Sequence, residues 1–299
     1  MSPQATARPP RVAVVMISAG RPAVLGQMLP TLAAQTVPHR TVLVVPTRDD
    51  LPDQVPPEIT VLLAGPGISR QRNAGIDSLD DPDLVFFFDD DAVLRHDYLE
   101  NALTVFAENP AVVGLTGRVL LDGATGSEIG FTEAVEALEG SLREPLDHHW
   151  RRTRELYGCN FAYRYPAAPL LRFDERLLSY SWLEDLDFAS QLRRFGALAN
   201  AAPCVIVHRG VKSGGRTRHR QLGYAQVMNP VYMWRKRSFG LAVALRQSVP
   251  LVAKNAVLAL VSRTPAARRA RLGGNLRALH DVARGRIAPE RVSLLADAR

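Results

Sequence analysis

Short apolar runs alternate with amphipathic segments along the first half of the chain. The runs are rich in β-branched and aromatic residues and are bounded by Gly, Pro, Ser and Asp, so they predict buried β-strands. The predicted strands are residues 12–17, 41–45, 59–63, 84–88 and 112–115.

The segments between these runs carry apolar residues at helical spacing. Pro22 suits the first turn of a helix, and the four apolar residues that share one face of it are Leu25, Met28, Leu29 and Leu32. Ser69 is predicted to cap a helix that ends near residue 79. Alternating strands and helices predict an α/β fold with a mostly parallel sheet and helices on both faces.

In such a sheet, ligands bind beyond the carboxyl ends of the strands. Three polar segments follow predicted strands at that edge: residues 18–21, 46–49 and 89–91. One ligand of nucleotide size could contact all three.

The second half of the chain has a different pattern. Residues 157–163 and 204–208 predict further strands, and the acidic segment 181–187 leads into a helix that runs through Leu192. From residue 221 the chain is mainly helical. We expect a sheet domain over residues 1–220 and a helical extension over residues 221–299.

The charge is distributed unevenly between these parts. Residues 209–299 hold 19 Lys and Arg against 3 Asp and Glu, a net of +16, which leaves −9 on residues 1–208 of the total +7. A basic tail suits anionic lipid, a phosphate-bearing substrate or nucleic acid, and it is also compatible with a merely solvated surface. No nucleic-acid recognition motif accompanies it, so we expect no nucleic-acid partner.

Composition excludes several other classes. With 46% hydrophobic and 22% charged residues, the 299-residue chain has an ordinary globular composition. Its polar amino terminus lacks the apolar core of a signal peptide, and no run of about 18 charge-free apolar residues predicts a membrane span. Cys159 and Cys204 are far apart and form neither a disulfide framework nor a zinc motif. We therefore expect a cytoplasmic protein.

The most informative segment is the aspartate triplet at residues 89–91, which follows Phe86, Phe87 and Phe88. Adjacent carboxylates repel one another unless a cation joins them. Oxygen ligands suit Mg²⁺ or Mn²⁺, which commonly brings substrate phosphates with it. A solvated acidic loop is the simpler alternative. The position of the triplet directly after a buried apolar strand favours a metal-binding site.

Five segments together resemble a known family. They are residues 14–22 with 34–36, residues 67–75, the triplet 89–91, residues 158–162 with 172–175, and residues 182–187. In this order they resemble the family 2 glycosyltransferases over roughly residues 10–240. The resemblance implies a GT-A fold, a Rossmann-like sheet that binds a nucleotide-sugar.

The resemblance also implies a metal site. Asp91 would be the direct ligand of Mg²⁺ or Mn²⁺, Asp89 would reach the ribose or a metal-bound water, and Asp90 would orient or support them. His208 would complete the metal shell, with a purely structural histidine as an equal alternative because Mg²⁺ prefers oxygen ligands. His219 is a weaker candidate for the same position.

The resemblance makes Asp185 the general base and Glu184 a ligand of the acceptor. By themselves, two carboxylates at a helix start would more simply stabilise the helix dipole. The residues expected to hold the nucleotide part of the donor are Ser18, Gly20, Arg21, Asp49, Arg72, Asn73, Asp89 and Asp90. Arg70 and Arg72 oppose the dipole of their helix, so at least one of them is expected to face an anion such as pyrophosphate.

Two features depart from the family pattern. Pro46-Thr47-Arg48 stands where the family has an acidic residue that contacts the nucleobase, and the acidic residues Asp49 and Asp50 follow slightly later. Ala19 and Gly20 replace the usual aromatic or Asn after the first strand. The nucleobase and the sugar are therefore left open.

These inferences predict an inverting, metal-dependent glycosyltransferase that acts on a glycan or a lipid-linked precursor of a surface polysaccharide. The alternatives are a nucleotidyltransferase of similar fold and an inactive sugar-nucleotide-binding module. A basic flexible loop after His208, with Gly214-Gly215 and the cations Lys212, Arg216, Arg218 and Arg220, could close over the phosphates. The apolar stretch from Leu241 to Leu260, flanked by cations, predicts either a helix at an anionic membrane surface or one that packs on the catalytic domain.

Overall fold

The computed structural model describes residues 8–124, 126–178, 181–212, 218–261 and 265–295. Its strands are β1 (Val12–Ile17), β2 (Arg40–Val45), β3 (Thr60–Leu63), β4 (Leu84–Asp89), β5 (Ala92–Leu94), β6 (Val112–Asp122), β7 (Trp150–Thr153), β8 (Asn160–Arg164) and β9 (Ala197–His208). Its helices are α1 (Pro22–Ala33), α2 (Ile68–Asp77), α3 (Tyr98–Glu108), α4 (Phe131–Ser141), α5 (Glu184–Leu192), α6 (His219–Lys236), α7 (Leu241–Val261) and α8 (Pro265–Ala283).

In the described part of the chain, the nine strands form one sheet. Its path is β3-β2-β1-β4-β8-β6-β9-β5, with β7 also paired to β9. The strands from β3 to β4 are all parallel. β8 is antiparallel to both of its neighbours, whereas β6 and β9 pair in parallel. The predicted α/β fold with its mainly parallel sheet is confirmed, and the antiparallel strands extend it on one side.

The phenylalanine run in β4 fills both faces of the sheet because side chains alternate along a strand. Phe86 and Phe88 belong to the cluster under α1 and α3, and Phe87 belongs to the cluster on the other face. Phe87 lies 4.8 Å from Phe161 and 5.4 Å from Phe173, measured between ring centroids. This double anchoring fixes the end of β4, where the aspartate triplet begins.

The predicted cap of α2 is wrong by two residues. Helix α2 begins at Ile68 and its N-cap is Gly67, whose φ of 134° is a conformation that L side chains rarely adopt. Because the chain turns at this glycine, Ser69 lies inside the first turn, where it is 1% exposed. Helix α2 ends at Asp77, slightly earlier than expected.

The carboxyl-terminal helices α6, α7 and α8 pack against one another. Helices α6 and α8 cross at two glycines: a Cβ on Gly223 would lie 2.0 Å from the Arg271 carbonyl oxygen, and one on Gly274 would lie 2.1 Å from that of Arg220. Lys236 of α6 pairs with Asp174 and Asp187 at 2.7 and 2.8 Å, so α6 is tied to the sheet domain. The predicted division after residue 220 falls within the first turn of α6 and stays a prediction.

Candidate active site

One cavity of about 1670 Å³ lies at the ends of β1, β4 and β9. Eight of the predicted site residues line it: Ser18, Arg21, Arg72, Asp89, Asp91, Glu184, Asp185 and His208. The structure therefore brings together segments that are far apart in the sequence. Four other predicted site residues do not line the cavity: Gly20, Asp49, Asn73 and Asp90.

Asp89, Asp91 and His208 form a cluster that could hold a metal ion. One ligand atom from each of them lies within 4.8 Å of the other two. Asp89 ends β4, and Asp91 stands opposite the end of β9, since its neighbour Ala92 pairs with His208. The geometry thus places the imidazole beside the carboxylates, as the family resemblance implies.

Asp90 is fully buried and supports the site from behind. Its carboxylate accepts hydrogen bonds from the Ser18 hydroxyl at 2.5 Å and from Nε of Arg21 at 3.1 Å. Burial raises the pKa of Asp90 to about 7 although Arg21 opposes the shift. The Arg21 guanidinium also reaches Asp91 at 3.5 Å. Asp90 thereby orients the arginine and does not itself line the cavity.

Asp91 is held as a carboxylate. Its Oδ2 accepts the backbone amide of Val211 at 2.8 Å, and its Oδ1 lies 3.6 Å from Nε2 of His208. Burial alone would raise the pKa of Asp91, but His208, Arg21 and the Val211 amide lower it below the ordinary value. An ionised, fixed carboxylate at this place is what a divalent cation requires.

His208 is oriented by Asp122, which lies at the end of β6. Nδ1 of His208 is 2.9 Å from Oδ1 of Asp122, and the Tyr157 hydroxyl donates to Oδ2 of Asp122 at 2.8 Å. Burial by itself opposes ionisation of Asp122, but bonds from His208, Ala124 and Tyr157 lower its pKa to about 2. This carboxylate leaves Nε2 of His208 directed toward the metal cluster, as in carboxylate–histidine–metal arrangements.

Arg72 joins the metal cluster to the carboxylates of α5. It is 2% exposed and donates to Glu184 and Asp89, both at 3.0 Å, and to the Gly158 carbonyl at 2.8 Å. The anions that Arg72 meets in this structure are carboxylates, so its predicted contact with pyrophosphate stays a prediction. Arg70 is half-exposed and lies 3.8 Å from Glu175.

Glu184 and Asp185 begin α5 at the cavity wall. Burial and the neighbouring Asp185 raise the pKa of Glu184 to about 8, against the effect of Arg72. Asp185 accepts the backbone amides of Leu186 at 2.8 Å and Gly158 at 3.0 Å, yet burial raises its pKa above the ordinary value. A carboxylate with a raised pKa is a stronger base than an exposed one, which suits proton abstraction.

Two predicted nucleotide contacts have other positions in the structure. Asp49 is exposed, whereas Asp50 accepts the Gly20 amide at 2.6 Å and so ties the β2 loop to the β1 loop. Asn73 is buried and exchanges two hydrogen bonds with the backbone of Phe173, at 2.8 and 3.0 Å. Neither Asp49 nor Asn73 lines the cavity; Asn73 holds the segment around Phe173 in place.

Sequence reasoning missed Asp122, Tyr157 and Gln71. Gln71 donates to the carbonyls of Ser18 and Val44 at 3.1 and 3.0 Å and so joins the ends of β1 and β2. Asp122 had one recognisable feature, since it closes an apolar run that ends at the same sheet edge as the triplet. The contacts of Gln71 and Tyr157 depend on tertiary folding alone.

The carboxyl-terminal helices also contribute to the cavity wall. Lining residues from this region include Gln226, Leu251, Lys254, Arg268 and Arg271. His219 also lines it and accepts a hydrogen bond at Nδ1 from Nε of Arg271 at 3.3 Å; the cluster that could hold a metal contains His208 and not His219. In the predicted basic loop, Lys212 and Arg218 line the cavity, while Gly214, Gly215 and Arg216 lie outside the described residues.

Comparison with known proteins identifies the family of the chain. The family profile described as Glycosyltransferase like family 2 matches residues 9–181. The sheet and its flanking helices have the GT-A fold of glycosyltransferases. The chain belongs to glycosyltransferase family 2, and the sequence-based resemblance is confirmed.

Individual relatives are more distant. A glucosyl-dolichyl phosphate glucuronosyltransferase from Haloferax volcanii is 30% identical over 98 residues, which are 33% of this chain and 31% of that protein. The match therefore spans about a third of the length of this curated relative.

Among solved structures, the mannosyltransferase PcManGT from Pyrobaculum calidifontis, in complex with GDP-Man and Mn²⁺, is similar with a TM-score of 0.55 and 17% identity. That alignment covers 91% of this chain and 88% of the other. TarS from S. aureus aligns with a TM-score of 0.47 and 15% identity, over 94% of this chain and 55% of the other.

Proposed function

We propose that this glycosyltransferase uses a divalent cation to bind a nucleotide-sugar and transfers the sugar, with inversion, to a hydroxyl of a glycan or lipid-linked acceptor. The observation that carries the proposal is the shared cavity. The cluster of Asp89, Asp91 and His208 and the pair of Glu184 and Asp185 line the same space and are joined through Arg72.

The donor end suits Mn²⁺ or Mg²⁺. Two carboxylates and one imidazole would hold the ion and leave coordination positions for phosphate oxygens, and the imidazole favours Mn²⁺ over Mg²⁺. When bound, the cation would stabilise the charge that develops on the leaving nucleoside diphosphate. The PcManGT structure, solved with GDP-Man and Mn²⁺, supports this assignment by its fold.

The acceptor end supplies the base. Asp185 would take the proton from the acceptor hydroxyl as its oxygen bonds to the anomeric carbon, while the bond from that carbon to the diphosphate oxygen breaks. Attack from the face opposite the leaving group inverts the anomeric centre. The backbone amides of Gly158 and Leu186 hold Asp185 in one orientation, and Arg72 holds Glu184 beside it.

Thermal-shift measurements against UDP-, GDP- and dTDP-sugars, each with and without Mn²⁺, test the donor assignment. One nucleotide class should stabilise the protein, and only when Mn²⁺ is present, because a ligand that binds the folded state raises its stability. If a nucleotide-sugar stabilises the protein equally well without Mn²⁺, donor binding does not require the metal and this part of the proposal is wrong. Binding without sugar transfer would favour an inactive binding module.

We also propose that α7 rests on an anionic membrane surface, at the inner face of the plasma membrane. Within the described residues, no helix has the length and hydropathy to cross a bilayer. Leu241, Leu245 and Val249 recur every four residues along one side of α7 and are each about half exposed, and Leu260 is 81% exposed. The exposed cations Arg235 and Arg237 precede this helix, whereas Arg263 lies outside the described residues.

Co-sedimentation with anionic and neutral liposomes tests the membrane proposal. The double variant Leu245→Glu/Leu260→Glu should lose salt-sensitive binding to anionic liposomes, because it places charge in the apolar contact. Leu170→Glu is the matched control, since Leu170 is 89% exposed elsewhere on the chain. If the wild-type protein ignores anionic liposomes at low salt, α7 is a structural helix only.

A further inference from the structure

The cavity wall has an acidic end, where the sheet domain contributes carboxylates together with Arg21, Arg70 and Arg72, and a basic end contributed by the carboxyl-terminal region. Its acidic lining residues all precede residue 186: Asp89, Asp91, Glu155, Glu184 and Asp185. Among the described lining residues after position 211, every charged side chain is basic: Lys212, Arg218, Lys254, Arg268 and Arg271. The proposed metal ligands and general base give a role to the acidic residues. They give no role to the cations on α7 and α8.

Arg268 is positioned by a chain of buried amides. Nδ2 of Asn255 donates to Oδ1 of Asn275 and to Oε1 of Gln226, each at 2.9 Å, and Nδ2 of Asn275 donates to the Gly223 carbonyl at 2.7 Å. Oδ1 of Asn255 is thereby left to accept Nη1 of Arg268 at 3.3 Å. The three amide residues are at most 5% exposed, and their mutual hydrogen bonds offset the cost of burying them and fix the position of Arg268.

Among the residues that the structure describes, no carboxylate pairs with Arg268 or Lys254. Arg268 donates instead to the neutral amide of Asn255. Some other cations of the same helical region are paired with carboxylates, namely Lys236 with Asp174 and Asp187, and Arg291 with Asp281. Two unneutralised cations on a cavity wall favour an anionic ligand there.

The close crossing of α6 and α8 fixes this cationic wall relative to the catalytic residues. Gly223 and Gly274 allow the two backbones to touch, and α6 is anchored to the sheet domain through Lys236. The same α6 supplies Gln226, which belongs both to the amide chain and to the cavity wall. Arg268 is therefore held in place by the packing of the helices, and Lys254 lines the same cavity from α7.

We propose that Lys254 and Arg268 bind a phosphate group carried by the acceptor. The inference rests on the proposed function, in which the metal at Asp89 and Asp91 already neutralises the donor pyrophosphate. An acceptor whose hydroxyl lies at Asp185 extends from there into the remainder of the cavity. That remainder combines these cations with the apolar side chains of Leu222, Leu251 and Val292. A phosphate ester, either of a lipid or of a glycan, is the chemistry this wall recognises.

Calorimetric titration in the presence of a chelator tests the subsite, because without metal the donor end lacks its phosphate ligand. The probes are dodecyl phosphate below its micellar concentration, glucose 1-phosphate, and uncharged octyl glucoside. At least one phosphate probe should bind, and Lys254→Ala/Arg268→Ala should bind it about tenfold to a hundredfold more weakly, as expected for lost charge-assisted hydrogen bonds. Tighter binding of dodecyl phosphate assigns a lipid source, and equal binding assigns a phosphorylated glycan.

The control Arg284→Ala/Arg286→Ala removes the same charge from exposed positions that do not line the cavity and should leave phosphate binding unchanged. Asp91→Ala should also bind the phosphate probe normally while losing Mn²⁺-dependent donor binding. Equal phosphate binding by wild-type and Lys254→Ala/Arg268→Ala would overturn the inference. So would an equal loss of Mn²⁺-dependent donor affinity in that variant, since the cations would then serve the donor. Failure of the proposed function would instead appear as absent donor binding in the wild-type protein.

Discussion

The two ends of the cavity are built in different ways. At the acidic end, Asp89 and His208 stand at the termini of buried strands, and their positions follow from the register of the sheet. At the basic end, Lys254 and Arg268 project from helices α7 and α8, whose places depend on two glycine contacts and a buried amide chain. The register of the sheet therefore fixes the acidic residues, whereas the packing of the appended helices fixes the cations.

Loss of the base should give the largest effect at the acidic end. Asp185→Asn keeps the shape of the side chain but removes its basicity, so turnover should fall about 10²- to 10⁴-fold. Mn²⁺-dependent donor affinity should stay near the wild-type value. Single-turnover kinetics and donor calorimetry measure the two quantities. Near-normal turnover in Asp185→Asn, together with a large defect in Glu184→Gln, would move the base to Glu184.

The helical end is most directly disturbed at the crossing of α6 and α8. Gly274→Ala places a methyl group 2.1 Å from the Arg220 carbonyl and should lower the free energy of unfolding by about 1–3 kcal/mol. Gly273→Ala is the matched control, because its added Cβ meets nothing within 4 Å. Denaturant unfolding compares them. Equal stability of the two variants would show that the crossing does not fix the helical wall.

The support of the metal cluster should give a smaller effect. Asp122→Asn removes the charge that orients His208 and should weaken Mn²⁺ binding about 10- to 100-fold. Asp147→Asn is a matched control, since Asp147 contacts His149 at an exposed site. Metal titration followed by electron paramagnetic resonance gives both affinities. Unchanged Mn²⁺ affinity in Asp122→Asn would leave His208 as a structural histidine.

The smallest expected effect is a displaced pH profile. Because a base acts in its ionised form and burial raises the pKa of Asp185, kcat/KM should rise with pH through a pKa above the ordinary value of 3.8. Arg72→Gln removes a positive charge that lowers the pKa of Asp185, so that limb should move to higher pH. An unmoved limb would show that the group titrating in kcat/KM is not Asp185.

The two ends also differ in how far the sequence predicts them. The strand-end residues Asp89, Asp91 and His208 are visible in sequence because apolar runs deliver them to one sheet edge. Asp49 and Asn73 were expected to contact the nucleotide, but they do not line the cavity, because the local loop or helix geometry decides which of several neighbouring side chains faces it. The amide chain through Asn255 and Asn275 has no local pattern, because its partners come from three helices.

The central claim is that Asp89, Asp91 and His208 hold the cation that binds the donor. Calorimetry of Asp91→Ala with the stabilising nucleotide-sugar and Mn²⁺ tests it most directly. The exposed Asp49→Ala serves as the control. Asp91→Ala should lose Mn²⁺-dependent donor binding while Asp49→Ala keeps it. Unchanged donor affinity in a folded Asp91→Ala protein would contradict the account.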